Sequence, residues 1–195
     1  MGLRFKSLLI ALLLALVTVP AAAQSQDSGW YIGAGGGESK YKGGCATWTA
    51  PGSCDDNGLY WKVFGGYQFN SYFGFEIGYA DFGKKEQTTT GVGSDNLDGN
   101  GVDAVLVLTV PFTEAFGIFA KYGIYHWNLE RVVTGPGAMS VDTNGRDITF
   151  GFGARYNFTR SFSLRLEWQR YQNMGDAFTG DFDVDTGLLG IAFKF

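Results

Sequence analysis

A strict alternation of apolar with small or polar residues constrains the fold of this chain most strongly, and it recurs in eight segments. Between Phe73 and Tyr79, for example, every odd position is bulky and apolar, and every even position is glycine or glutamate. A period of two places alternate side chains on opposite faces of a β-strand. We therefore predict an all-β fold. The expected strands lie near residues 29–39, 58–69, 72–83, 101–112, 116–128, 145–158, 161–171 and 182–195.

The lengths of these segments and of their connections indicate how the strands are arranged. A strand of about ten residues, tilted by about 45°, is long enough to cross a bilayer. The connections alternate between tight turns and long stretches rich in Gly, Asn, Asp, Ser and Thr, which span residues 40–57, 84–100, 129–144 and 172–181. This alternation is typical of outer-membrane barrels. We predict an eight-stranded antiparallel up-and-down transmembrane β-barrel, with both termini on the periplasmic side.

The alternative is a soluble barrel with its apolar face inward. Aromatic residues make up 16% of the chain and charged residues only 17%. An eight-stranded barrel has an interior just wide enough for side chains. The small or polar face cannot form an apolar core there, but its charges can pair. We predict an interior charge network composed of Lys62, Glu76, Lys121, Arg155, Arg165, Glu167 and Lys194.

The N-terminus has the features of a secretory signal, which we assign to residues 1–23. Arg4 and Lys6 precede the apolar run Leu8–Val19, and the alanines at 21–23 form a cleavage site. An uncleaved anchor helix is the alternative, but the apolar run is short for a span of about 20 residues. Residues 24–195 would then form the barrel domain.

Export permits a disulfide, and the chain has two cysteines, Cys45 and Cys54, both in the first long connection. We predict that they form a bridge; a metal or redox role is the alternative. At the other end of the chain, Ile191, Phe193 and Phe195 alternate in the last segment. We expect this strand to be recognised by a barrel assembly machinery through edge pairing. An ordinary lipid-facing strand end would show the same pattern.

Several blocks of sequence also resemble a known family. They are Gly29–Gly33 (GWYIG), Phe64–Asn70 (FGGYQFN), Phe75–Tyr79 (FEIGY), Arg165–Gln169 (RLEWQ) and Asn173–Ala177 (NMGDA). Together, from Gly29 to Phe195, they resemble the transmembrane domain of the outer membrane protein A family. The resemblance implies a stand-alone barrel, without the peptidoglycan-binding domain that follows in full-length members.

The resemblance also implies ion pairs across the barrel interior. Glu76 and Arg165 match one family pair. At the second pair the chain departs from the family, because Arg155 replaces an acid and an apolar stretch at 105–107 replaces a lysine. Glu167 is then an alternative partner for Arg155. Such charges should pair, because an unpartnered buried charge costs several kcal/mol.

Composition and motifs disfavour other functions. A net charge of −4 argues against nucleic-acid binding. A lipid-modifying enzyme of the barrel type would need a His-x-Ser motif, but the single histidine, His126, is followed by Trp127 and Asn128. The carboxylates Asp176, Asp181, Asp183 and Asp185 could bind a cation or form a solvated rim. We expect no enzyme activity and no cofactor.

The expected function is therefore a structural or surface role in the outer membrane of a Gram-negative cell. The long loops would contact host, phage or neighbouring molecules, and outer-membrane lipid and lipopolysaccharide would surround a monomeric barrel. The alternative is a narrow pore. Bulky residues on the inward face argue against a pore, whereas the many glycines argue for space; the bulky residues are Tyr31, Tyr60, Phe64 and Tyr125.

Overall fold

Nine β-strands form the fold of the computed structural model, which describes residues 28–43, 45, 49, 51–176 and 180–195. The strands are β1 (Gly29–Tyr41), β2 (Gly52–Asp55), β3 (Asn57–Gln68), β4 (Phe73–Thr89), β5 (Gly93–Pro111), β6 (Phe116–Val133), β7 (Met139–Asn157), β8 (Phe162–Met174) and β9 (Phe182–Lys194). The predicted leader, residues 1–23, lies outside the described residues. Within them, no helix is long and apolar enough to cross a membrane.

Eight of the strands close into an antiparallel barrel. Each long strand pairs with its neighbours along the chain, and β1 pairs with β9 to close the ring. The ninth strand, β2, is a short segment of the first long connection and pairs with the C-terminal end of β4, residues 86–89. The predicted eight-stranded antiparallel up-and-down barrel is confirmed.

The two faces of the wall carry the predicted residues. Outward positions such as Ile32, Leu106 and Ile191 are each about 60–70% exposed. The inward residues Tyr60, Phe64 and Tyr125 are buried. The apolar face of the barrel therefore points outward, and a soluble barrel with an inward apolar face is ruled out. Outward rings also cluster near strand ends, for example Trp30 against Tyr67 with centroids 5.0 Å apart.

The two ends of the barrel differ in their connections. Tight turns follow β3, β5 and β7 at one end, which we name the short-turn end and which also holds both chain termini. At the opposite, long-hairpin end, two predicted loops are mostly strand. In the segment 84–100, strands β4 and β5 remain paired up to Thr89 and Gly93. In the segment 129–144, strands β6 and β7 remain paired up to Val133 and Met139. These extensions lack strict alternation because both of their faces lie beyond the apolar band, yet their backbones still pair.

The barrel interior holds more apolar side chains than the four bulky inward residues that the sequence identifies. Its long-hairpin half is filled by aromatic and apolar side chains, which we name the apolar plug. Packing these side chains against one another removes their apolar surface from water. The plug consists of Tyr41, Tyr60, Ala80, Phe82, Leu97, Tyr125, Trp127, Leu129, Tyr171, Met174, Val184 and Leu188.

The β1–β9 seam that closes the barrel depends on glycine at position 37. A Cβ atom on Gly37 would lie 1.9 Å from the carbonyl oxygen of Gly187, which is backbone and cannot rotate away. On the adjacent Gly36 the nearest atom would be the carbonyl oxygen of Tyr60 at 3.5 Å, an ordinary contact.

We predict that Gly37→Ala lowers the free energy of unfolding by about 1–3 kcal/mol, as overpacking does. The matched variant Gly36→Ala should change it by less than about 0.5 kcal/mol. Denaturant titration of the barrel refolded in detergent micelles, followed by tryptophan fluorescence, measures both. Equal stabilities for the two variants would contradict the close approach at this seam.

Candidate functional site

Six ionisable side chains from five strands meet inside the barrel and form what we name the central network. Three are cations and three are carboxylates, so their formal charges cancel. Each lies at an inward position of its strand and is at most 5% exposed. The members are Lys62 on β3, Glu76 on β4, Asp103 on β5, Lys121 on β6, and Arg165 and Glu167 on β8.

Glu76 is the centre of the half of this network nearer the short-turn end. Its Oε1 accepts a hydrogen bond from Lys121 Nζ at 2.6 Å, and its Oε2 accepts one from Arg165 Nη1 at 2.8 Å. Lys121 also donates to Glu167 Oε2 at 2.6 Å, and Arg165 Nη2 lies 3.7 Å from the same oxygen. The hydroxyl of Tyr31 donates to Glu76 Oε2 at 3.2 Å. Two cations and two carboxylates thus form a closed ring of contacts.

The other half is centred on Asp103, which forms an ion pair with Lys62. Gln169 joins both partners, because its Oε1 accepts from Lys62 Nζ and its Nε2 donates to Asp103 Oδ2, each at 3.1 Å. Tyr171 donates to the same Asp103 oxygen at 2.9 Å. Lys62 Nζ also lies 3.9 Å from Glu76 Oε1, which connects the two halves.

Aromatic rings pack against the cations of the network. The guanidinium carbon of Arg165 lies 4.5 Å from the ring centroid of Phe64 and 4.7 Å from that of Phe119. Lys121 Nζ lies 5.6 Å and 5.5 Å from the same two rings. These distances permit cation–π attraction, which is strongest where water is excluded. The cations are therefore held by rings as well as by carboxylates.

The structure brings together five of the seven charged residues that the sequence places inside the barrel. The other two are half-buried: Arg155 lies beside Arg165 in the β7–β8 register, and Lys194 lies beside Tyr31 in the β1–β9 register. Glu167, which we considered as a partner for Arg155, contacts Lys121 and Arg165.

Sequence reasoning missed Asp103, the partner of Lys62. A signal for it was present, because the seven predicted residues comprise five cations and two carboxylates, an excess of three positive charges in a closed space. Asp103 lies two and four residues before Val105 and Val107, which point inward on β5, so it belongs to the same inward face of the strand. The need for further inward carboxylates, combined with the alternation of inward and outward residues along β5, would have identified Asp103.

Rings of the apolar plug meet across the lumen. Phe82 on β4 lies 6.0 Å from Tyr60 on β3 and 4.7 Å from Tyr171 on β8, and Tyr171 lies 5.0 Å from Tyr125 on β6. Since Tyr171 also bonds to Asp103, the plug and the network form one continuous filling. Chemically, this arrangement places buried charges of opposite sign in contact and packs aromatic rings across the barrel axis.

The rim of the long-hairpin end holds the remaining candidate residues. The predicted disulfide is confirmed: Cys45 and Cys54 are bonded, with their Cα atoms 5.9 Å apart. Asp185 accepts two hydrogen bonds from Arg170 at 2.6 and 2.8 Å and lies 3.2 Å from Lys42 Nζ. Partial burial alone would raise the pKa of the Asp185 carboxyl, but the hydrogen bonds from Arg170 and Lys42 outweigh it and lower the pKa.

The acidic rim and the single histidine show no arrangement for chemistry. Asp183 accepts from the backbone of Asn173, and Asp176 accepts from Thr143. Across the part of the chain that the structure describes, no group of three or more His, Cys, Asp or Glu side chains is placed to hold a metal ion. His126 is exposed on the outer face of β6.

An apolar outer wall around a charge-compensated interior defines a transmembrane β-barrel of the outer-membrane class. The family model of the OmpA-like transmembrane domain matches residues 25–195, so the chain belongs to this family. Outer membrane protein A of Shigella flexneri is 33% identical and covers 95% of this chain, and that of Salmonella typhi is 32% identical with the same coverage. Each match covers 54% of the length of the relative, so the chain spans about half the length of these relatives.

Solved structures share the fold at low sequence identity. Neisserial surface protein A superimposes with a TM-score of 0.61 at 13% identity, over 86% of this chain and 99% of that one. The N-terminal barrel of Pseudomonas aeruginosa OprF gives 0.57 at 16% identity, over 88% and 100%. Ail of Yersinia pestis, solved with the heparin analogue sucrose octasulfate, gives 0.55 at 17% identity, over 87% and 98%. With its family, the protein is located in the outer membrane of Gram-negative bacteria.

We predict that Asp103→Asn lowers the free energy of unfolding by about 3 kcal/mol, because it removes the carboxylate paired with the buried Lys62 and leaves the central network with one excess positive charge. The replacement is isosteric, so packing is preserved. The control is Asp95→Asn, which breaks the partly exposed Asp95–Arg131 pair at 2.6 Å and should cost less than about 1 kcal/mol. Urea titration in micelles compares them, and equal losses would show that burial does not set the strength of these pairs.

Proposed function

We propose that the protein is a closed, non-catalytic, monomeric barrel that anchors surface-exposed hairpins in the outer membrane. The observation that carries this proposal is the continuous filling of the lumen by the apolar plug and the central network. A conducting path needs water along the barrel axis, whereas here rings from β3, β4, β6 and β8 meet across it. The narrow pore is therefore the less favoured function.

The long-hairpin end is the one that we assign to the cell exterior, with the short-turn end and both termini in the periplasm. Outer-membrane barrels have short periplasmic turns and longer extracellular connections. The β4–β5 and β6–β7 hairpins extend past the apolar band and present polar side chains to water. Segments displayed in this way on a rigid scaffold commonly carry binding functions. Ail, which shares the fold, was solved with a heparin analogue, and we propose a comparable surface role here.

The barrel wall and the last strand suggest further partners. Outward apolar residues would contact membrane lipid and lipopolysaccharide. Ile191, Phe193 and Phe195 all point outward, with exposed fractions of 60, 38 and 71%. We propose that they contact the barrel assembly machinery during insertion. A lipid-modifying reaction is disfavoured because His126 has no serine or cysteine in register beside it; its cross-strand neighbours are Val102 and Arg146.

Single-channel recording in planar bilayers tests whether the lumen is closed. We predict that the native barrel shows no discrete conductance steps. The double variant Tyr60→Ala and Phe82→Ala removes two plug rings and should produce small, reproducible steps. The matched variant Phe69→Ala removes an outward ring, which is 55% exposed, and should remain silent. Reproducible steps from the native protein would contradict the closed barrel and favour the pore.

A further inference from the structure

Strand β7 is longer than the strand beside it, so part of its edge has no strand partner among the residues that the structure describes. It pairs with β6 along its full length, from Met139 to beyond Arg155, but its pairing with β8 begins only at Thr149. Strand β8 turns away at this level, with a register shift between Tyr171 and Met174. We name residues 139–148 the upper β7 edge. At about 3.3 Å per residue it is roughly 30 Å long.

The direction of the backbone groups along this edge follows from hydrogen bonds at the other end of the strand. Asn157 N donates to Ala115 O on the β6 side, whereas Phe158 N donates to Phe162 O on the β8 side. Because successive residues of a strand point their N–H and C=O groups to opposite sides, even-numbered residues face β8. Four of them lie on the upper β7 edge at least three residues before Thr149, the first residue that pairs with β8: Ser140, Asp142, Asn144 and Arg146.

These four residues present N–H and C=O groups that have no strand partner among the residues the structure describes. The connection after β8 reaches the edge through a side chain, since Thr143 Oγ1 donates to Asp176 Oδ2 at 2.8 Å. Proteins usually protect such edges with proline, lysine, a bulge or a covering loop. The upper β7 edge contains no proline and no lysine, and its register with β6 shows no bulge.

We propose that the upper β7 edge is a docking site for an extended segment of another protein, which binds by adding a strand to the sheet. Strand addition satisfies the open backbone groups directly, and the alternate side chains of the added strand provide specificity. The proposal deepens the surface role proposed above and rests on it for one point, that the partner approaches from outside the cell.

The upper β7 edges of two copies cannot pair in antiparallel fashion within one membrane. Two identical strands that pair in antiparallel fashion are related by a two-fold axis perpendicular to the sheet. That axis would lie in the membrane plane here and would invert one of the two barrels. Barrels inserted in the same orientation cannot be related in this way. Antiparallel self-pairing of this edge is thus excluded, which favours a segment of a different chain as the occupant.

Two charges on the outer face of the edge define what sequence this segment should have. Asp142 and Arg146 are both exposed, lie four residues apart and point to the same face. Opposite charges directly across a strand pair are favourable. In an antiparallel partner, an acidic residue would face Arg146, and a basic residue four positions later would face Asp142.

The probe is the synthetic peptide Thr-Val-Glu-Val-Thr-Val-Lys-Val-Thr, added to the barrel in micelles. Amide hydrogen exchange followed by NMR is the measurement. We predict that the peptide slows exchange at Ser140, Asp142, Asn144 and Arg146 by at least about tenfold and leaves the alternate residues, already bonded to β6, unchanged. Exchanging the Glu and Lys of the peptide should weaken binding about fivefold.

Asn144→Pro tests the edge in the protein. Its N–H faces away from β6, so proline removes an open donor without breaking the β6–β7 ladder. Binding should fall at least about tenfold, while Asn144→Ala, which keeps the N–H, should bind as the native chain does. Circular dichroism verifies that both variants are folded. As a second control, a peptide N-methylated along its bonding edge should not bind.

Three results would overturn the proposal. They are no slowing of amide exchange by the peptide, equal slowing at even- and odd-numbered residues of the upper β7 edge, or unchanged peptide binding by Asn144→Pro. Protection of the same amides without peptide, rising with protein concentration, would assign the edge to a second copy and also overturn it. Failure of the surface role is separate: a peptide that binds the micellar barrel but not intact cells would place the edge on the periplasmic side.

Discussion

Mutual neutralisation of three buried cations and three buried carboxylates is the constraint on which the rest of the structure depends. An isolated charge in this narrow interior would cost several kcal/mol. Each member therefore has to lie at an inward position and at a height where it meets its partner, as Glu76 meets Lys121 and Arg165. A slip of one residue would turn these side chains toward lipid. The network thus specifies strand register as well as filling the lumen.

The interior is divided along the barrel axis. The central network lies toward the short-turn end, packed against Phe64 and Phe119, and aromatic and apolar side chains fill the long-hairpin half. Tyr171 joins the two regions, because its ring packs on Phe82 and its hydroxyl bonds to Asp103. One filled interior can therefore support long hairpins in water and a barrel in lipid at once.

The sequence predicts the barrel because lipid and interior impose opposite demands at successive positions, as between Phe73 and Tyr79. The same reasoning predicts loops at 84–100 and 129–144, but the strands continue there. Beyond the apolar band, neither face has to be apolar, so the paired backbones leave no alternation in the sequence. It places Lys62 inside but does not identify Asp103 as its partner. That contact joins non-neighbouring strands, and their relative heights follow from the closed barrel rather than from any local pattern.

The free-energy coupling between Glu76 and Lys121 tests most directly whether the interior charges act as one compensated unit. Unfolding free energies would be measured for Glu76→Gln, Lys121→Met and the double variant. We expect each single change to cost about 3 kcal/mol or more, and the double variant to cost at least about 2 kcal/mol less than their sum. Additive losses would contradict the account, because they would mean that each charge is stabilised independently of its partner.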